Sequence, residues 1–282
     1  DQSIDQINDN ANVTFNGQYL VDGSKNSATA ATCTALTNQS LAENTDSATK
    51  LTELKARNGD SLNIQSTDTI TVSWVKDGKT YTGSTKVNDQ TLDAALKAIK
   101  DGSNNLSADI TLKESKKSFI AVDGSGNSVY TASGESALTL VSSGSGINNQ
   151  ISGFTISITD NTGAVRKSAN AALDAFDETL RAQNKSEDNS INLQIGTKAN
   201  QTIKVGLTDM KAQALGLQGS DNKTLQVGNQ KQANAAINVL DSAIQKALDQ
   251  QTTIGAVQSR LEYTQSNLTT ASENVTAAES TI

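Results

Sequence analysis

The chain has 282 residues with no Pro, no His, one Cys, one Trp, 3% aromatic residues and a formal net charge of −7. At an average usage of ~5%, about 14 prolines belong in this length, and their absence suits long helices and unbroken sheet ladders. Without His the usual general base and the commonest transition-metal ligand are missing, and the acidic balance disfavours nucleic acid or an anionic membrane as partner.

Taken from the amino terminus, Asp1–Asn10 carries Ile4 and Ile7 at helical spacing and reads as the tail of a helix. From about Lys25 to Glu187 the composition shifts to Thr, Ser, Gly and Val in short alternating segments, the pattern of strands. Within it a helix is expected at Asp46–Arg57, stopped near Gly59. Next comes a hairpin over Asp68–Val87: Ile70, Val72 and Trp74 alternate with polar residues, Asp77-Gly78 supplies the turn, and Tyr81 leads the return strand. A helix should follow with Asn88 or Asp89 as its N-cap, Leu92, Leu96 and Ile99 on one face, and Gly102 as its C-cap. Further strands are expected at Asp109–Lys113, Phe119–Val122, Ser128–Ala132, Ala137–Val141 and Phe154–Thr159, and a helix at Ser168–Gln183. Alternation in Leu193–Ile195 and Ile203–Val205, around Gly196 and Asn200, predicts a second hairpin whose apolar face packs on a helix.

The last fifty-odd residues hold the strongest pattern. Leu240, Ala247, Ile254, Leu261, Leu268, Val275 and Ile282 recur every seven residues, and a second row (Ala243, Val257, Ala271 and Ala278, with Thr264) lies three further on. That period marks a long, slender helix whose packing seam calls for partner helices along its length. The seam is still running at Ile282, and the chain starts mid-element, so both ends read as cut.

Chemistry is scarce. Ser47–Lys50 matches S-x-x-K, but a chain rich in Ser and Thr produces that by chance, and the companion K-T-G is absent. The glycine-rich runs Asp123–Asn127 and Gly144–Gly146 do not open a helix after a strand in a βαβ unit, so they read as turns. Asp174, Asp177 and Glu178 read as solvated charges on a helix, and the basic cluster Lys113, Lys116 and Lys117 is too small for nucleic acid. No catalytic, cofactor or metal residue is assigned, Cys33 has no partner for an internal disulfide, and no apolar run approaches the ~18 residues of a membrane span.

Three stretches resemble one family. Ile254–Ile282 (IGAVQSRLEYTQSNLTTASENVTAAESTI) resembles the carboxyl-terminal core helix of bacterial flagellin, Thr14–Ser24 (TFNGQYLVDGS) the turn after its amino-terminal helices, and Ile191–Leu217 its core hairpin and following loop. The resemblance implies an α+β chain: an elongated helical rod domain with a core hairpin, discontinuous over 1–24 and 188–282, and an inserted, mainly-β variable domain at 25–187 with a subdomain at 25–59. In flagellin further terminal helices line the filament's inner tube; their absence here implies a chain that does not polymerise alone.

The resemblance also implies function. The chain is expected to be a structural, non-enzymatic protomer of the flagellar filament, exported without a cleaved signal. Its partners would be its own copies, with an export chaperone and the filament cap. A zinc protease, which some flagellins carry in the insert, is excluded by the lack of His. A Toll-like receptor is a further implied partner, through Arg260, although most of that recognition patch lies on an amino-terminal helix not present here. O-linked sugars on the insert are plausible by the same resemblance. Two other readings stay open: a hook–filament junction protein, and an adhesin or glycan-binding insert in which Trp74 and Tyr81 stack on a sugar ring.

Overall fold

The computed structural model describes residues 2–115, 119–130, 136–196, 198 and 200–281. Lys116, Lys117, Ile282 and the end of the strand expected at Ser128–Ala132 lie outside them. The architecture is α+β, as the pattern of elements implied. A short helix α1 (Gln2–Ala11) precedes a small hairpin, β1 (Thr14–Phe15) and β2 (Gln18–Tyr19), turned by Asn16 and Gly17 at φ 51° and 73°. That left-handed pair is what Asn-Gly accommodates best.

The central segment builds two antiparallel sheets. One has four strands: β3 (Ala35–Asn38), β8 (Ile110–Ser115), β11 (Ala137–Ser142) and β13 (Phe176–Leu180), in the spatial order β13-β3-β11-β8. The other has three: β4 (Thr69–Lys76), β5 (Lys79–Lys86) and β12 (Ile151–Thr159), in the order β12-β4-β5. Between and around them lie α2 (Leu92–Ala98), the tiny hairpin β6 (Lys100–Asp101) and β7 (Asn104–Asn105), α3 (Leu106–Asp109), and a two-stranded ribbon, β9 (Phe119–Val122) with β10 (Ser128–Tyr130). One apolar core joins the two sheets and the helices, from Leu36, Leu41, Leu51 and Leu54 through Trp74 and Leu140 to Leu173, while the β9–β10 ribbon packs through Ile120 on a separate cluster with Ala35, Val141 and Leu180. Leu36, Leu41, Leu51 and Leu54 thus share the core of the rest of the segment.

The chain enters and leaves this segment side by side: Thr29 bridges Ser186, Thr32 bridges Gln183, and β3 pairs with β13. Beyond it, β14 (Ile191–Gln194) and β15 (Thr202–Val205) form the second hairpin, and α5 (Gln230–Thr281) runs for 52 residues, about 78 Å at 1.5 Å per residue.

Several expectations need correction. The helix expected at Asp46–Arg57 is only a single 3-10 turn, Leu51–Glu53. Asp46 and Thr49 hydrogen-bond each other, and Ala42 and Arg57 donate backbone N–H groups to Lys55 and Ser40, so local contacts hold the backbone extended. The helix expected at Ser168–Gln183 ends at Leu173, in α4 (Lys167–Leu173), and Phe176–Leu180 is strand β13. Asn170 and exposed Asp174 accept from the backbone N–H groups of Ile158 and Ile156 and tie α4 to β12. Glu178, expected on a solvated helix face, is on that strand with its side chain nearly buried. The cap of α2 is Thr91, whose hydroxyl accepts from Ala94 N at 3.2 Å; Asn88 and Asp89 instead take positive φ in the preceding turn, and Gly102 turns the β6–β7 hairpin.

Candidate functional site

The long helix has the sequence of a helix that needs help. Asn229 caps it, accepting from Gln232 N at 2.9 Å, and six of its threonines, Thr252 to Thr276, turn their hydroxyls back on the carbonyl four residues earlier. Gly255 sits mid-helix with open space around it. Helical propensity alone holds such a length weakly, so its stability must come from packing one face.

Two surfaces of the chain pack on its first half. Ala235, Val239 and Ala243 join Val75, Ala212, Leu215 and Leu217, with Ile4 and Ile7 of α1 against the same cluster. The approach to β12 is close: a Cβ on Gly153 would meet Ala235 O and Val239 Cγ2, each at 2.7 Å. Asn238 donates to Phe154 O at 2.8 Å across that interface. The Asp77-Gly78 turn is also fixed, since Asp77 accepts from Ser220 N at 2.6 Å and Ser220 Oγ at 2.7 Å, and the two backbones nearly touch at Gly78 and Gly219.

Charges close the same junction. Arg181 spans Glu178 at 3.0 Å and Asp249 at 2.7 Å. Burial pushes the Glu178 carboxyl above the usual range against the pull of Arg181, and it pushes the Lys246 amine down while that amine donates to Ala214 O at 2.9 Å. Gln250, also buried, accepts from the backbone N–H and hydroxyl of Thr208. Further along, Val257 and Leu261 pack against Ile203, Val205 and Leu207 of the second hairpin and its exit.

The covered face therefore follows Ala236, Ala243, Gln250, Val257 and Thr264, which is the second of the two heptad rows. Of the first row, Leu240, Ala247, Ile254, Leu268 and Val275 are exposed, Leu261 is half-buried by the hairpin, and Ile282 lies outside the described residues. From residue 265 to 281 every side chain is exposed. Ile195, Leu261 and Leu268 line an open groove between the hairpin and the helix. Arg260 is exposed on the same helix.

Trp74 corrects the sugar-platform reading. It is 0% exposed, its indole N–H donates to Asp109 at 3.0 Å, and its ring stacks on half-buried Tyr81 at 5.4 Å between centroids. Its faces are spent inside the core. Among the described residues no group of His, Cys, Asp and Glu is arranged to hold a metal, and no helix is long and apolar enough to cross a membrane.

A family model, the bacterial flagellin C-terminal helical region, matches residues 237–282, which take in most of α5 and its whole uncovered end. The chain carries a flagellin carboxyl-terminal region. A flagellin from Clostridium tyrobutyricum is 37% identical over 93 residues, covering 33% of this chain and 24% of that protein. The flagellin of Bacillus subtilis is 34% identical over 126 residues, 38% of this chain and 41% of that protein. A flagellar filament 33 kDa core protein from Treponema phagedenis is 40% identical over 89 residues, 31% of each chain. The matched flagellin portion thus spans between about a quarter and two fifths of these relatives. Among solved structures, the flagellar cap protein FliD D2-D3 domains from Escherichia coli align over 64% of this chain and 71% of that one, with 17% identity and a TM-score of 0.28, too weak a likeness to define the fold.

Proposed function

We propose that the chain is a structural protomer of a bacterial flagellar filament, acting outside the cell, with no catalytic residue. The observation that carries this reading is the exposed apolar row Leu240, Ala247, Ile254, Leu268 and Val275 on a helix whose sequence matches the flagellin model. Bringing one Leu, Ile or Val out of water is worth about 1.5–3 kcal/mol, so a continuous row of them on a bare rod drives side-by-side association. In this reading residues 1–24 and 188–282 are the rod, whose open row takes helices of neighbouring protomers. Residues 25–187 are an inserted domain facing solvent. Swimming would follow from rotation of the polymer and from no single residue. The export chaperone and cap are partners of the same reading, and exposed Arg260 is its receptor contact.

Immunogold labelling of motile source cells with antibody to the chain tests it. Gold along the whole filament is the expected result. A band at the filament base would replace it with a junction protein, and label on the cell body alone would overturn both.

A further inference from the structure

A cavity of about 340 Å3 lies where the chain enters and leaves the central segment, within the size range of small-molecule sites. Three stretches, 22–29, 182–186 and 206–214, wall it together with Ile147 and Lys246. Main-chain bonds fix these stretches to one another. Met210 N donates to Val21 O, Leu207 N donates to Lys25 O, and Thr29 and Ser186 exchange N–H groups at 3.0 Å. At Gly23 two walls press together, since a Cβ there would meet the Asp209 carboxylate at 3.1 Å.

Those walls carry opposite charges that do not meet. Lys185 is spent on Glu187 at 3.7 Å, but among the described residues Asp22, Asp209 and Lys246 form no ion pair. Asp209 takes Lys211 N on one carboxylate oxygen at 2.9 Å, and the other accepts from no described residue. Lys246 gives one of its three N–H groups to Ala214 O at 2.9 Å. Burial raises the Asp209 carboxyl and lowers the Lys246 amine, each against the pull of the other. Neighbouring charges do not close the gap. Lys211 draws on both carboxylates, while Glu178 and Arg181 act on Lys246 in opposite senses, none within ion-pair distance among the described residues. The two ends are thus held out of water without a countercharge in contact, a cost that a charged ligand relieves.

Two carboxylates and one ammonium on one small space select a ligand that carries both signs. Among the described residues no aromatic ring lines the cavity, so the stacking wall that suits a sugar is missing. We propose that this cavity binds a small zwitterion of the free amino acid class, with its carboxylate on Lys246 and its ammonium on Asp209 and Asp22. Charge-assisted hydrogen bonds at both ends would supply affinity, and the distance between the ends the choice of ligand. The site stands apart from the filament reading, because every residue in it belongs to one chain.

The probes are glycine, β-alanine and γ-aminobutyrate, which step the distance between the two charges, titrated into the 15N-labelled full chain. Saturable amide shifts at 22–29, 182–186 and 206–214 are expected with at least one of them, at a Kd below about 1 mM. The simple amine and the simple carboxylate that each carry one of its charges should bind about tenfold or more weakly. That comparison leaves the protein unaltered. Lys246→Met should remove the amino acid's advantage over the amine, and Asp209→Asn its advantage over the carboxylate. The proposal is overturned if no amino acid saturates those amides at that level, or if the amine or the carboxylate alone binds as tightly. It is also overturned if glucose moves the same amides equally well, which would make hydroxyl groups and not charge the basis of the site.

Discussion

The central segment and the long helix use the same apolar residues to opposite ends. In the central segment two sheets close on each other around Trp74, Ile70, Ile158 and Leu140, with the inward side chains satisfied within the chain. In α5 the covered face runs through Ala235, Val239, Ala243, Gln250 and Val257, and the row through Leu240, Ile254 and Leu268 faces water. A residue's contribution therefore depends on where its partner is. In the segment the partner is already in the chain, and on the helix's outer row, in the proposed filament, it would belong to another molecule.

The largest effect should come from Trp74→Ala. It removes the biggest fully buried side chain and the indole donor to Asp109, which keeps only Lys76, so a loss of about 3–5 kcal/mol is expected. Urea unfolding followed by circular dichroism measures it; a loss under about 1 kcal/mol would mean the segment does not depend on its core.

Gly153→Ala attacks the seam between the two regions. The added methyl meets Ala235 O and Val239 Cγ2 at 2.7 Å, so α5 must move off β12. A cost of about 1–3 kcal/mol is expected, and NMR should show the hydrogen bond from Asn238 to Phe154 O broken. An unchanged melting temperature would show that the helix is not held there.

Much of this is legible in the residues. Asp77-Gly78 with alternating flanks marks the hairpin, and the seven-residue spacing marks the long helix and its two rows. Spacing does not tell which row the chain itself covers, because that depends on Gly153 admitting the helix and on Thr208 satisfying Gln250, both remote in sequence. The helix expected at Ser168–Gln183 fails for a related reason. Glu178 takes an inward position after Phe176, where Arg181 pairs with it, and that charge, with the register shift between Glu178 and Leu180, hides the strand's two-residue period.

A smaller effect is expected with pH. Desolvation of its carboxyl raises Asp174 to about 6, although the residue as a whole is exposed, while the carboxylate accepts from Ile156 N. A carboxyl whose folded value lies above its unfolded one favours the fold when protonated. Its contribution is full below about pH 4 and is lost as pH rises toward 6. Asp174→Asn keeps the acceptor and should flatten the fall in melting temperature across that window, leaving the part due to Glu178, which has the same sign. A slope identical to the parent would remove Asp174 from the account.

The smallest effect on the isolated chain should come from Leu268→Ala, within about 0.5 kcal/mol of the parent because the side chain touches solvent. The same change made in source cells should weaken the proposed filament, read as a lowered melting temperature of purified filaments. Destabilisation of the isolated chain by more than about 1 kcal/mol would mean that the row already has a partner within the chain.

Hydrogen–deuterium exchange of residues 262–281, in the isolated chain and in filaments purified from source cells, tests the central claim most directly. Fast exchange alone and about a hundredfold or greater protection in the filament is the predicted result. Equal rates in the two states would contradict it, whether slow or fast, because the exposed row would then not be the face that assembly covers.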